Sequence, residues 1–205
     1  MEWEFRILDT LQLMRTPAGD YWMPLITRLA EAGAIWILLA IVLLIIPKTR
    51  KVGLGIVAAL IIHTLLSNVI LKNLVARTRP CDINKAVQLL VKRPWDYSFP
   101  SGHTGISFAT VTVLFLAYRR FVTSGIKIGY NSTDTREEIK QAISNNELKK
   151  GLWMLWIGSL ILSVAIAFSR LYLYVHFPTD VLGGILVGII SGVLGVAVSD
   201  RLTGK

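Results

Sequence analysis

Residues 52–71, VGLGIVAALIIHTLLSNVIL, run for twenty positions without a formal charge before reaching Lys72. A helix rising about 1.5 Å per residue needs about 20 apolar residues to cross a hydrocarbon core of about 30 Å, so this stretch reads as a transmembrane helix. Its small residues suit close packing on neighbouring helices. Four more runs lie outward from it: about Met23 to Ile46, stopped by Pro47 and the basic turn Lys48, Arg50 and Lys51; about Ser101 to Tyr118, ending at Arg119 and Arg120; about Leu152 to Leu173; and about Val181 to Val198. They predict an all-α polytopic membrane helix bundle of five spans, one integral-membrane domain over 1–205. The composition agrees, with 53% hydrophobic and 17% charged residues and a mean hydropathy of +0.56, which is too apolar for an ordinary soluble domain.

The first twenty residues, MEWEFRILDTLQLMRTPAGD, carry Glu2, Glu4, Arg6, Asp9 and Arg15 without a continuous apolar core, so they are not read as a cleavable signal. The expectation is an interfacial amphipathic helix with Trp3, Phe5, Ile7, Leu8, Leu11 and Met14 on its buried side. If this segment crosses, the spans become six. Two connections are long. Arg77 to Pro100 has three prolines and mixed charge, and reads as a structured surface loop with Trp95, Tyr97 and Phe99 as interface anchors. Val122 to Lys150 (122–150) is polar, and Thr135 with Glu138 and Ser144 with Glu147 match the helix-capping pattern, predicting a short helix that feeds the fourth span. Asn131-Ser132-Thr133 is a formal glycosylation triplet, discounted because this connection is expected to be cytoplasmic.

Alternation of five spans places the Pro47 turn, the 122–150 connection and the C-terminus on one side, with 12 of the 22 basic residues. The positive-inside rule makes that side cytoplasmic. The net charge of +9 fits anionic headgroups and anionic ligands better than nucleic acid, given the apolar spans. The single cysteine, Cys81, excludes an intrachain disulfide and reads as an ordinary loop thiol; no Cys/His pair has zinc-ligand spacing.

Chemistry gathers at the opposite, extracytoplasmic ends of four spans. Lys72 precedes Arg79-Pro80; Pro100-Ser101-Gly102-His103 opens the third span; Ser169-Arg170 closes the fourth, with His176 and Asp180 beyond it. Lys72, Arg79 and Arg170 supply three cations for a phosphoryl group, the arginines through bidentate forks. Pro100-Ser101-Gly102 enters a helix, where backbone N–H groups and the positive helix end suit an oxyanion. Ser101 adds a hydroxyl, and Gly102 lets backbone approach the ligand. Two histidines and a carboxylate complete an acid, a nucleophile and an orienting group. Taken singly, a Lys at a helix end snorkels, an Arg-Pro pair is a helix exit and a lone His is structural; the weight lies in their conjunction on one face. His63, mid-span, reads as a structural histidine bonded within the bundle, with Thr64, Ser67 and Asn68 at hand.

The three clusters, KNLVARTRP, PSGH and SRLYLYVHFPTD, resemble the signatures of the type-2 phosphatidic acid phosphatases, or lipid phosphate phosphatases, over about Met23 to Arg201. The resemblance implies a membrane phosphatase with no metal or other cofactor, acting on a lipid phosphate or pyrophosphate at the outer face of a plasma membrane, with the lipid tail entering between helices. It implies that His176 attacks phosphorus to form a phosphohistidine, that Asp180 orients His176, and that His103 protonates the leaving oxygen and then activates water. Lys72, Arg79, Ser101, Gly102 and Arg170 would bind phosphate oxygens. Ser169 belongs to the signature but reads equally as a helix-packing hydroxyl; Arg77 lies within the first motif and would meet a second phosphate or a headgroup, or be solvated. The short amphipathic start is similar to members acting on undecaprenyl pyrophosphate, some of which carry Asp at the position of Gly102. Phosphatidylglycerophosphate or phosphatidic acid hydrolysis, or transfer to an acceptor other than water, are the alternatives.

Overall fold

The computed structural model describes residues 1–123 and 136–204. In chain order the helices are α1 (Glu2–Leu13), α2 (Pro17–Leu29), α3 (Ala34–Ile45), α4 (Arg50–Thr64), α5 (Lys72–Val75), α6 (Pro80–Ile83), α7 (Gly102–Thr123), α8 (Arg136–Tyr172) and α9 (Pro178–Leu202), with a 3-10 turn at Glu31–Gly33 and a π-helical segment at Leu65–Leu71 between α4 and α5. Among the described residues there is no strand. The protein is an all-α membrane bundle. Among the described residues four helical stretches have the length and apolarity to span, Arg50–Ile83, Gly102–Thr123, Ile143–Tyr172 and Pro178–Leu202, and α2 with α3 makes a fifth if that bent pair acts as one.

The bundle centre is where α9 lies against α7 and α4. Gly184, Gly188, Gly192 and Gly195 recur on one face of α9, and at this face backbones nearly touch. A Cβ on Gly188 would fall 2.4 Å from the Gly105 carbonyl oxygen, and one on Gly195 would fall 2.6 Å from that of Gly55. This is small-residue packing, the usual means of association where lipid offers no hydrophobic drive. Around it sit Trp36, Ile56, Ala59, Leu114 and Ile166, all nearly fully buried, and Trp36 Nε1 donates to Ser107 Oγ at 3.0 Å.

Several expectations are corrected. The run from Met23 to Ile46 is not one straight span: Ala32 and Gly33 adopt positive φ (50° and 74°), so the chain turns through 43° between α2 and the helix that follows. The short helix expected near Ser144 is no separate element, because α8 continues unbroken from Arg136 to Tyr172. Ser144 takes a hydrogen bond from Lys48, and Glu147 pairs with Lys150; neither caps a helix start. Thr135 and the Asn131 triplet lie outside the described residues. Cys81 is a buried free thiol within α6, not a loop thiol.

At the N-terminus α1 stops at Leu13, and Thr16 caps a new helix by accepting from the Gly19 N–H at 3.1 Å. The buried side of α1 is also shifted in phase. Glu4 and Leu8 are buried, whereas Trp3, Ile7 and Met14 are exposed. That buried side faces protein: Phe5 meets Phe177 edge-on at 5.2 Å and Tyr174 Oη donates to Asp9 at 2.6 Å. Of the three aromatic anchors, Trp95 and Tyr97 are exposed, but Phe99 packs on α9, where a Cβ on Gly183 would fall 2.4 Å from its ring.

Candidate active site

A cavity of about 620 Å³ opens at one end of the bundle, and His63, Lys72, Arg79, His103, Arg170 and His176 all line it. Six stretches of the chain deliver them, His63 coming from α4 and Lys72 from the start of α5. Arg79 precedes α6 and Arg170 sits in the last turn of α8; His103 is in the first turn of α7, and His176 lies in the short link from α8 to α9. Lys72 depends on a backbone irregularity. Nine residues at about 100° each turn through about 900°, so an unbroken α-helix would set His63 and Lys72 on opposite faces. The π turns of Leu65–Leu71 lie between them, widen the winding and bring both side chains to the same cavity.

His176 is almost fully buried. Arg79 Nη1 is 3.2 Å from its Nε2, and a guanidinium can only donate, so Nε2 accepts and the ring proton resides on Nδ1. Burial, reinforced by the Arg79 charge, pushes the imidazole pKa down to about 3. The ring is therefore neutral, with Nε2 held by Arg79 at the cavity wall. Nδ1 faces Asp180 Oδ2 at 3.6 Å, too far for a hydrogen bond, and has no other partner.

The cations are held by protein groups. Arg79 Nη1 also donates to the Val175 carbonyl at 2.7 Å, and Arg170 Nη1 to Thr27 Oγ1 at 2.5 Å, leaving the buried Arg170 Nε unpaired. Asp96, from the loop before α7, reaches into the cradle: its carboxylate pairs with Lys72 and with Arg79 Nη2 at 2.6 Å. Burial raises the Asp96 carboxyl, but Lys72 and Arg79 outweigh that and hold its pKa down to about 2. A carboxylate thus occupies ground suited to phosphate oxygens.

Gly102 lines the cavity beside Asn68 and Lys72. Ser101 does not join it; its N–H donates to the Asp180 carbonyl at 2.9 Å and its hydroxyl bonds Thr104 at 2.9 Å. Ser169 Oγ donates to the Ile166 carbonyl at 2.6 Å, away from the cavity. Arg77 does not line the cavity, and its side chain keeps 18% exposure. Its guanidinium bonds Asp180, Thr179 and Glu4. His63 lacks the expected bonds as well: Thr64 Oγ1 donates to Leu60, and neither ring nitrogen of His63 has a partner. Its ring lies over Gly105, where a Cβ would come within 2.1 Å. Sequence reasoning did not single out Asp96, Ser98 or Glu4. Ser98 donates to Asp180.

Comparison with known proteins identifies the family. The profile of the PAP2 superfamily matches residues 50–203. An undecaprenyl-diphosphatase of Sulfolobus acidocaldarius is 32% identical over 155 residues, 75% of this chain and 58% of that protein. The chain therefore spans less than two thirds of that relative's length. The bacitracin transport permease protein BcrC of Bacillus licheniformis is 25% identical over 96% of this chain and 82% of its own. Among solved structures, a PAP2-type phosphatidylglycerolphosphate phosphatase from Bacillus subtilis superimposes with a TM-score of 0.70 at 24% identity, over 98% of this chain and 86% of that one. Aquifex aeolicus LpxE does so with a TM-score of 0.62 at 25% identity over 94% of each. With Lys72, Arg79, His103, Arg170 and His176 brought to one cavity and three quarters of its length matched by the family profile, the chain belongs to the PAP2 superfamily.

Proposed function

We propose that residues 1–205 act as one multi-pass membrane phosphatase that removes the terminal phosphate of a lipid phosphate or pyrophosphate, with undecaprenyl pyrophosphate as the leading substrate. The observation that carries this reading is the neutral His176, which lines one cavity with Lys72, Arg79, Arg170 and His103 and whose Nε2 is bonded only to Arg79, a phosphate-binding cation that an entering phosphoryl group can draw away. Nε2 attacks phosphorus as the bond to the leaving oxygen breaks, and His103 gives that oxygen a proton. His103 then takes a proton from water, which attacks the phosphohistidine, frees inorganic phosphate and restores His176. The three cations and the N–H groups opening α7 stabilise charge on the phosphoryl oxygens. Entering phosphate displaces the Asp96 carboxylate from Lys72 and Arg79.

The lipid tail leaves the cavity beside the break between α2 and α3, since Ala30, Ala32 and Gly33 form part of its wall. Lys51 and Arg120 meet Asp200 at the opposite end of the bundle. That basic end supports a cytoplasmic C-terminus and a site on the extracytoplasmic face. The polyprenyl substrate is favoured by the 32% identity to an undecaprenyl-diphosphatase.

The test is phosphate release by detergent-purified protein in EDTA from undecaprenyl pyrophosphate, phosphatidylglycerophosphate and phosphatidic acid, with His176→Ala alongside. Preference for the prenyl substrate, lost in the variant, is the expected result. Preference for a glycerolipid moves the substrate and keeps the mechanism; recovery of phosphate on an added alcohol acceptor identifies a transferase. Release that survives in His176→Ala overturns the phosphohistidine.

A further inference from the structure

Asp180 is fully buried in the first turn of α9, and its two oxygens are used differently. Oδ2 takes the Ser98 hydroxyl and the Phe177 N–H at 2.8 Å, and is the oxygen that faces His176. Oδ1 takes Arg77 Nη1 at 2.6 Å. Clamping one oxygen fixes the rotation of the carboxylate, so the other is aimed at the imidazole.

Arg77 is itself fixed on several sides. Nη1 also donates to Thr179 Oγ1 at 2.6 Å, the guanidinium lies 4.1 Å from the centroid of the Phe177 ring, and Nη2 donates to Glu4 Oε2 at 2.8 Å. Thr179 Oγ1 closes the ring by donating to Glu4 Oε1 at 2.6 Å. Glu4 is 3% exposed, although it belongs to a helix whose other side carries exposed Trp3 and Ile7. The same helix grips the link that carries His176, through Asp9 to Tyr174 and Gln12 to the Tyr172 carbonyl at 2.8 Å. A charged side chain is removed from water here only because it meets charged and hydroxyl partners.

The electrostatics give Glu4 a second purpose. A lone Arg77–Asp180 pair would spend the negative charge of Asp180 on the guanidinium. Glu4, which also faces the Met1 ammonium at 3.6 Å, takes the other side of the Arg77 guanidinium, so Asp180 shares that cation and remains an effective acceptor for Nδ1–H as positive charge builds on the imidazole during attack. We propose that Arg77 and Glu4 are positioning residues for phosphoryl transfer: Arg77 sets the rotation of Asp180 toward His176, Glu4 sets Arg77, and the N-terminal helix α1 is thereby part of the reaction machinery. This rests on His176 being the nucleophile.

The experiment compares Glu4→Gln, Arg77→Lys and Arg77→Ala in the full chain, each alone and combined with Asp180→Asn, by steady-state phosphate release. Glu4→Gln preserves shape and lies on a peripheral helix, so it keeps the test valid if Arg77→Ala fails to fold. Alone it is expected to lower kcat about tenfold with KM within about twofold, the range seen for groups that orient a ligand from behind. Arg77→Lys is expected to recover part of what Arg77→Ala loses. In the Asp180→Asn background Glu4→Gln is expected to change the residual rate by less than about twofold, since its effect passes through the carboxylate already removed. Equal losses in both backgrounds, or an unchanged kcat for Glu4→Gln, overturn the inference. Activity surviving in His176→Ala instead overturns the nucleophile, and is read from that control alone.

Discussion

Helix α9 carries an aspartate at each end, and the two occupy opposite physical situations. Asp180, in the first turn, is completely buried, holds Arg77 at 2.6 Å and lies on the favourable side of the helix dipole. Asp200, in the last turn, sits on the unfavourable side, and its side chain retains 22% exposure while pairing with Lys51 at 2.7 Å and Arg120 at 2.5 Å. Geometrically the two clusters look equally good. They differ in dielectric surroundings and in what lies beyond the ion pair: His176 behind Asp180, solvent behind Asp200. A short ion pair is therefore no guide to importance by itself; a buried one whose other oxygen faces a reactive ring carries chemistry, and a partly exposed one contributes little.

The sharpest break of that comparison is the pair Asp180→Asn and Asp200→Asn. The first is expected to lower phosphate release by about 10⁴-fold, the scale for losing an orienting carboxylate, while the second leaves it within about twofold. Comparable losses in the two variants would erase the distinction. Between the aspartates runs the glycine stripe, which is expected to govern assembly. Gly188→Val drives a side chain into the Gly105 carbonyl and should cost about 3 kcal/mol of stability, seen as a lower thermal midpoint in detergent; an unchanged midpoint would mean that α7 and α9 can separate freely.

Asp96→Asn sharpens the account at the site itself. Removing the charge that competes for Lys72 and Arg79 should tighten orthovanadate inhibition about fivefold, about 1 kcal/mol. Because the Asp96 carboxyl titrates at about 2, it stays ionised throughout the range of about pH 5 to 8, and the gain should be flat with pH there. A gain that appears only at one end of that range would assign the competition to another group. The smallest effect belongs to Arg120→Gln, expected to change stability by no more than about 1 kcal/mol, and less at high salt. A larger loss in urea or thermal titration would give the exposed end more weight than solvent screening allows.

Much of this was legible in the chain because it depends on short spacings. The apolar runs announced the bundle, and Lys72, Arg79, His103, Arg170 and His176 announced a phosphate site; all five line one cavity. The residues that were not legible act across long sequence gaps or through backbone irregularity. Glu4 lies 176 positions from Asp180 and looks like one more charge on an amphipathic helix; only the phase of its burial, with Leu8 on the same side, marks it. Asp96 sits among mixed charges in a proline-rich loop, where nothing local says that it turns inward. The bend after α2 depends on positive φ at Ala32 as well as Gly33, and alanine gives no warning of that.

The π-helical segment Leu65–Leu71 has a consequence for how such a protein tolerates insertion and deletion. Wide turns of this kind hold more residues than a regular helix needs. Deleting one residue there would let the backbone relax toward ordinary α winding while the span stayed long enough to cross. Eight steps of about 100° would then separate His63 from Lys72, a net angle of about 80°, so the ammonium would stay at the cavity. Regularising the winding at full length would instead set the two side chains on opposite faces and carry the ammonium away from phosphate. What relatives must keep in this stretch is thus the phase between His63 and Lys72, and not the number of residues between them.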